Sequence, residues 1–243
     1  MSLLFEELDC RPTPIGLLTL RRRRELSLGV DVVEIKLGDE HLMSDLFTVS
    51  EIALARLGLA AAGSGPLDVV VGGLGLGYTA RAVLENPEVA SLVVVEMLAP
   101  VIEWHREGLL PIGDELARDP RCRLVLADFF ERAAGDEGFD AAAPGRRFDA
   151  ILLDIDHSPE ALLDARSAAF YGADGLRRLA RHLKPGGIFG LWSNDGPDAA
   201  FTARLGSVFA MAWAEPVTFD NPLQDRPFTQ TVYLARAAGA AAT

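Results

Sequence analysis

Acidic side chains and a glycine turn follow four apolar segments of the chain. These segments end at Gly73, Glu96, Asp128 and Asp154. If the segments are parallel strands, their carboxyl ends meet at one edge of a sheet, which is where open α/β sheets bind ligands. Carboxylates there can accept hydrogen bonds from ribose hydroxyls or amines, and they can take up protons. The pattern therefore predicts a ligand site with acid–base chemistry at that edge.

The glycine turn predicts close approach of a ligand to the backbone. Gly73, Gly75 and Gly77 have no Cβ and tolerate the positive φ of a tight turn. The helix that starts at Tyr78 adds free backbone N–H groups. This pattern is typical of nucleotide- or nucleoside-binding turns, although close packing of strand and helix also uses it. Glu96, about 20 residues further on at the end of the next strand, favours a ribose-containing ligand.

Asp128 and Phe129 follow the third strand. The Asp128 carboxylate is suited to accept a hydrogen bond from an adenine amino group, with Phe129 beside the ring. The alternative is that Asp128 caps the next helix, as Asp commonly does. A cap needs only one carboxylate oxygen, so both roles are compatible.

Asp154 and Asp156 form the pair best suited to catalysis. Residues at this spacing in extended chain project to the same side. Two nearby carboxylates can raise one pKa and together hold and deprotonate an amine. His157 is an alternative base, although a histidine before Ser-Pro more often caps a loop. The other three histidines form no ligand cluster, so no metal site is predicted.

The elements that position these residues are those of an α/β protein. From residue 67 onward strands and helices alternate, which predicts a doubly wound, mostly parallel sheet. Two late strands, at 215–219 and 230–236, are expected to close it as an antiparallel pair. We expect two domains, a small N-terminal β-hairpin region at 1–45 and a Rossmann-like nucleoside-binding domain at 46–243. A helix is expected from Asp45 to Leu57, with Gly58 as its stop.

Composition restricts the partners. The chain has 243 residues and a formal net charge of −12, which disfavours nucleic acid and anionic membranes. No apolar run reaches the roughly 18 residues of a membrane span, and the acidic start does not resemble a signal peptide. A cytoplasmic protein is therefore expected. The run Arg21–Arg24 favours a solvated strand or turn over a polyanion site.

The order of motifs resembles the class I S-adenosylmethionine-dependent methyltransferases. The motifs are Gly72-Gly-Leu-Gly-Leu-Gly77, Val95-Glu-Met97, Ala127-Asp128, Leu153-Asp154 and Leu183-Lys-Pro-Gly-Gly187. Within that superfamily the chain is most similar to the spermidine synthase (polyamine aminopropyltransferase) branch. This narrower likeness depends on the β-rich N-terminal region, on Asp39–Asp45 ahead of a helix, and on Phe170-Tyr171.

The resemblance implies a role for each matching residue. Gly73, Gly75 and Gly77 would approach the methionine-like part of the donor, which is S-adenosylmethionine or its decarboxylated form. The other implied contacts with the donor are Glu96 to the ribose, Asp128 to the adenine, and Met97 and Phe129 beside them. Asp154 would be the base that deprotonates the attacking amine, and Asp156 would help to hold the cation. The implied reaction moves an aminopropyl group to an amine, such as a polyamine, without a metal, and relatives suggest a homodimer.

Three other functions are compatible with parts of the pattern. Aminopropyltransferases usually carry an acidic residue in the glycine turn, and the matching position here is Gly75. That departure favours an S-adenosylmethionine-dependent methyltransferase on the same fold. A protein that binds the nucleoside without turnover is a third reading, since fold alone does not determine function. A dehydrogenase is the weakest, because Asp154-Ile-Asp156 has no evident role in hydride transfer.

Overall fold

Two β-sheets organise residues 4–240, the part of the chain that the computed structural model describes. The N-terminal sheet is antiparallel throughout, with its strands in chain order. Its strands are β1 (Phe5–Thr13), β2 (Gly16–Glu25), β3 (Val30–Leu37) and β4 (Glu40–Ser44). The predicted hairpin region is thus a four-stranded sheet. The predicted division into two domains at residue 45 stays a prediction. The outermost residues of those two domains, 1–3 and 241–243, lie outside the described residues.

The second sheet has seven strands and confirms the predicted α/β fold. Its strands are β5 (Leu67–Gly72), β6 (Val89–Glu96), β7 (Cys122–Leu126), β8 (Phe148–Leu153), β9 (Leu183–Ser193), β10 (Met211–Asn221) and β11 (Arg226–Arg236). They are ordered β10-β11-β9-β8-β5-β6-β7. The five from β9 to β7 run parallel, and β11 and β10 close the sheet antiparallel, as predicted.

Helices cover both faces of this sheet. They are α1 (Val49–Ala62), α2 (Tyr78–Leu84), α3 (Ala99–Glu107), α4 (Glu115–Arg118), α5 (Phe129–Ala134), α6 (Ala173–Ala180) and α7 (Ala199–Gly206), with a 3₁₀ helix at Ala165–Tyr171. The buried strands form the middle layer, and Val69, Val70 and Val71 of β5 are fully buried. The apolar side chains therefore form two clusters, one on each face.

Helix α1 differs from the prediction. It starts four residues later and runs past Gly58, which lies close to the Leu152 side chain, since a Cβ on Gly58 would be 2.5 Å from Leu152 Cδ2. Its buried residues include Glu51, Leu54 and Leu59. Val49, at the start of the helix, is 47% exposed. The buried face of α1 therefore includes an acid in its first turn.

Two charged segments have structural roles. The Lys184-Pro-Gly-Gly187 segment lies within β9 as a bulge between the pairs Phe148–Leu183 and Ala150–Ile188. The run Arg21–Arg24 lies in β2, where each arginine pairs with an acid of the N-terminal region. The run is therefore part of the sheet's own ion pairs, in line with the strand alternative.

Candidate active site

A cavity of about 650 Å³ lies at the carboxyl ends of the parallel strands. The sheet order reverses between β5 and β8, which leaves a crevice where open α/β sheets bind ligands. Eight of the nine predicted site residues line it. They are Gly73, Gly75, Glu96, Met97, Asp128, Phe129, Asp154 and Asp156. Strand β4 and the β10–β11 hairpin contribute further walls.

The glycine turn is shaped by close packing as well as by the cavity. Gly73, Gly75 and Gly77 have φ of 89°, 46° and 90°, which favours glycine. A Cβ on Gly73 would collide with the backbone oxygen of Asp154. Gly77 does not line the cavity, because it faces Ile112 and the His105 ring on the other side. The structure therefore gives Gly77 a packing role instead of the predicted contact with a ligand.

Met43 of β4 covers the turn at Gly75. Its sulfur accepts a hydrogen bond from the Leu76 N–H at 3.1 Å. It also fills the space that a side chain on residue 75 would need. Position 75 thus carries no acid, and the apolar side chain of Met43 fills the space where one would lie.

His105 of α3 supports the turn from the protein interior. Its Nε2 lies 2.9 Å from the carbonyl oxygen of Gly75, and the residue is fully buried. Burial lowers the pKa of His105 to about 4. The ring is therefore neutral at physiological pH and can donate Nε2–H to that carbonyl.

Glu96 is held by the backbone at the end of β6. Its two carboxylate oxygens accept hydrogen bonds from the N–H groups of Leu74 at 3.0 Å and Leu98 at 2.8 Å. Burial raises the pKa of Glu96, and these hydrogen bonds oppose that effect. Each oxygen keeps a further lone pair, so the carboxylate can also accept ribose hydroxyls.

Asp128 caps helix α5 with one oxygen only. Its Oδ1 accepts from the N–H groups of Phe130 at 2.7 Å and Glu131 at 3.2 Å. Oδ2 has no hydrogen-bond partner among residues 4–240 and remains open to a ligand. Phe129 is 1% exposed and stacks on Phe139 at 4.9 Å between ring centroids, so most of its ring lies in the core.

Asp154 follows β8, facing the first turn of α2. Its Oδ2 accepts a hydrogen bond from the Thr79 hydroxyl at 2.6 Å. Burial raises the pKa of Asp154 to about 6, and the Thr79 hydrogen bond opposes that rise. A carboxylate of this kind can take up a proton near neutral pH.

Glu51 of α1 is a second buried carboxyl on the cavity wall, 7% exposed. Burial and the charge of Asp154 raise its pKa to about 7. Its Oε2 lies 2.7 Å from the Ser50 hydroxyl, which also accepts from Trp192 Nε1 at 2.8 Å. The site therefore contains two carboxyls that influence each other's ionisation.

Asp156 is held by the segment that follows it. The Tyr171 hydroxyl at 2.6 Å and the Leu163 N–H at 2.7 Å donate to it, and the Ser167 hydroxyl lies 3.2 Å away. The residue is 3% exposed. These contacts make Asp156 an anchor of the 157–171 segment. The residue also lines the cavity, and its role in holding the cation stays a prediction.

His157 contacts the N-terminal sheet. His157 Nε2 lies 3.1 Å from Oε1 of Glu40, so it links the N-terminal sheet to the rim of the cavity.

Within residues 4–240, no group of three or more His, Cys, Asp or Glu is arranged to hold a metal ion. The same residues contain no helix with the length and apolar character needed to cross a bilayer.

Sequence reasoning missed Glu51, Thr79 and Met43. Glu51 had a detectable signal, because Glu51, Leu54, Ala55, Gly58 and Leu59 follow helical spacing. An acid on the buried face of a helix is uncommon without a function or a partner. Met43 had no such signal, since its contact with the turn depends on how the two sheets meet.

The protein has an α/β fold with a class I methyltransferase-like sheet and a cavity at the carboxyl ends of its parallel strands. A spermidine synthase from Thermotoga maritima superposes with a TM-score of 0.72 at 19% identity, covering 95% of this chain and 72% of that one. A spermidine synthase in complex with the transition state analogue AdoDATO gives 0.70 at 18% identity, with the same coverage. These likenesses establish the shared fold.

Sequence comparison gives the closer relationship. Polyamine aminopropyltransferase 2 of Pseudomonas aeruginosa is 28% identical over 169 residues, 67% of this chain and 45% of that protein. The polyamine aminopropyltransferase of Mycobacterium tuberculosis is 33% identical over 128 residues, 53% of this chain and 23% of that protein. No family model matches. In these two alignments the chain spans less than half the length of the curated relatives. The predicted resemblance is confirmed: the chain is similar in sequence to polyamine aminopropyltransferases and shares the fold of spermidine synthase.

Proposed function

We propose that the protein transfers an alkyl group, aminopropyl by its relationship, from an adenosyl sulfonium to an amine. The observation that carries this proposal is the position of Asp154. Asp154 lines the same cavity as Glu96 and Asp128, and its carboxylate accepts a hydrogen bond from Thr79 in the helix behind the glycine turn. A proton acceptor thus lies beside groups suited to ribose and adenine.

The roles of the residues follow from their free lone pairs. Glu96 would accept hydrogen bonds from ribose hydroxyls, and Oδ2 of Asp128 would accept one from an adenine amino group. An alkyl amine arrives protonated at neutral pH, with a pKa of about 10. Asp154 would take that proton. The nitrogen lone pair then attacks the carbon bound to sulfur, the S–C bond breaks, and sulfur leaves as a neutral thioether.

Methyl transfer is the second candidate, and one observation favours it. Gly75 replaces the usual acid, and Met43 occupies the space beside it. An apolar wall there does not select the lone ammonium of a decarboxylated donor over ordinary S-adenosylmethionine. Both donors are therefore compatible with this wall of the cavity.

The experiment that tests the function supplies both donors to the purified protein with a panel of mono-, di- and polyamines. Methylthioadenosine would indicate aminopropyl transfer, and S-adenosylhomocysteine would indicate methyl transfer. Formation of neither, with donor bound in calorimetry, would leave a nucleoside-binding protein without turnover. A polyamine acceptor, a homodimer and a cytoplasmic location stay predictions. Light scattering of the purified protein tests the second of these.

A further inference from the structure

Glu51 has no role in the reaction described above, although it lies within the same cavity. It comes from α1, whereas Asp154 follows β8, and Thr79 of α2 connects them. The Thr79 hydroxyl lies 2.6 Å from Asp154 Oδ2 and 3.3 Å from the backbone oxygen of Glu51. The two acids are therefore neighbours only in the folded chain.

The surroundings of Glu51 can satisfy both of its charge states. The Ser50 hydroxyl lies 2.7 Å from Oε2 of Glu51 and 2.6 Å from Oε1 of Gln230. A hydroxyl donates one hydrogen only. When Ser50 donates to Gln230, a proton on Glu51 completes the contact with Ser50. When Glu51 is ionised, Ser50 donates to it instead.

Asp154 is the charged neighbour that Glu51 faces. The phenol of Tyr78 on α2 is a second titratable neighbour. From β9 and β11 the facing side chains are Trp192, Asn194 and Gln230, which carry no charge. His41 and His157 line other parts of the same cavity. The order of ionisation is therefore governed mainly by the two acids, and the Thr79 hydrogen bond favours charge on Asp154 first.

We propose that Glu51 is the second proton-binding group of the site and that its ionisation sets the charge offered to the acceptor amine. With Glu51 neutral, the site presents the single negative charge of Asp154. With Glu51 ionised, it presents two, and a cationic acceptor binds more tightly. This inference depends on the proposed amine transfer for its second half.

The kinetic test measures the acceptor KM against pH at saturating donor. In the wild type, KM is expected to fall roughly tenfold as pH rises through neutrality, while an alkyl amine stays protonated throughout. In Glu51→Gln, KM should be flat over that interval, and the fall of kcat at acid pH, which belongs to Asp154, should remain. The exposed Glu107→Gln variant is the matched control and should behave as the wild type. A wild-type KM profile in Glu51→Gln would overturn the proposal.

A spectroscopic test is independent of activity. In protein with ¹³C-labelled Glu carboxyls, the Glu51 signal, assigned by its loss in Glu51→Gln, should titrate well above an ordinary Glu. It should move to lower pH in Asp154→Asn, because the neighbouring charge is gone. An unchanged midpoint would refute the coupling. If the carboxyls titrate as expected but no donor and amine yield a thioether product, the proposed function fails, and the acceptor half of this inference fails with it.

Discussion

Thr79 donates its hydroxyl hydrogen to Oδ2 of Asp154 at 2.6 Å. The donor lies in the first turn of the helix behind the glycine turn, and the acceptor follows a strand 75 residues later. A hydrogen bond to the charged form of a carboxyl lowers its pKa, whereas burial raises it. The net effect is a pKa of about 6 for Asp154, so the carboxyl is ionised at neutral pH and can accept a proton.

The first prediction concerns Asp154→Asn. Removing the proton acceptor should lower kcat by about 10²–10⁴-fold, while donor affinity changes little because Glu96 and Asp128 are intact. In the wild type, burial raises the pKa of Asp154 to about 6. Since the ionised form is the base, kcat/KM should fall as pH falls through that value. Steady-state kinetics with donor calorimetry checks both. Retained turnover would remove Asp154 from this role.

Donor choice should respond to residue 75 only if Met43 is also changed. In Gly75→Asp alone, the new side chain collides with the Met43 sulfur. In Gly75→Asp with Met43→Ala, a carboxylate can reach the donor's ammonium. Preference for decarboxylated S-adenosylmethionine should then rise by about 10-fold or more, as one hydrogen bond to a charged group allows.

Calorimetric titration with both donors measures this ratio. Gly75→Asn with Met43→Ala has the same shape without the charge and is the matched control. An equal shift in the control would show that space and not charge decides the preference.

Glu96→Gln should weaken donor binding by about 10-fold or more. The Glu96 carboxylate accepts hydrogen bonds from two backbone N–H groups, one at each oxygen. In the glutamine variant an NH₂ group replaces one of these oxygens, so a donor faces a backbone N–H. Calorimetry of donor binding checks the loss, with Glu107→Gln as a control for general charge effects. Unchanged donor affinity would exclude Glu96 from the ribose contact.

Tyr171→Phe should loosen the segment after β8. It removes the 2.6 Å hydrogen bond to buried Asp156, which costs about 1–3 kcal/mol of unfolding free energy. Urea denaturation measures the stability, and limited proteolysis should show earlier cleavage within 157–171. If the variant loses donor affinity but neither stability nor protection, Asp156 acts on the ligand and not on the segment.

Stability should depend on pH through Glu51. Its pKa is about 7 in the folded chain against an ordinary value of 4.5, so the folded state holds the proton more tightly. The wild type therefore loses stability relative to Glu51→Gln as pH rises from about 4.5 to about 7. The difference stays constant above that, at roughly 1–3 kcal/mol. Denaturation at pH 4 and pH 8 tests this, and a difference that does not change with pH would contradict it.

Local pattern was enough to predict the sheet and the edge on which the site lies. Runs such as Val69–Val71 are apolar throughout because parallel strands are buried on both faces, and the acids that follow them mark the strand ends. Their parallel order places Glu96, Asp128 and Asp154 at one cavity. The helix cap at Asp128 could likewise be predicted from the sequence, because it depends on neighbours two and three residues away.

The tertiary structure decided which of these residues are free to meet a ligand. Gly77 faces the interior, and Asp156 is engaged by Tyr171 and Ser167. Glu51 lines the same cavity as Asp154 from another helix, and the Ser50 hydroxyl that contacts Glu51 also contacts Gln230, 180 residues away from Ser50. Periodicity tells which face of an element is buried, and it carries no information about which distant side chain shares that burial. Those pairings arise only when the crossovers pack the helices onto the sheet, and they determine the charge and the partners of each acid.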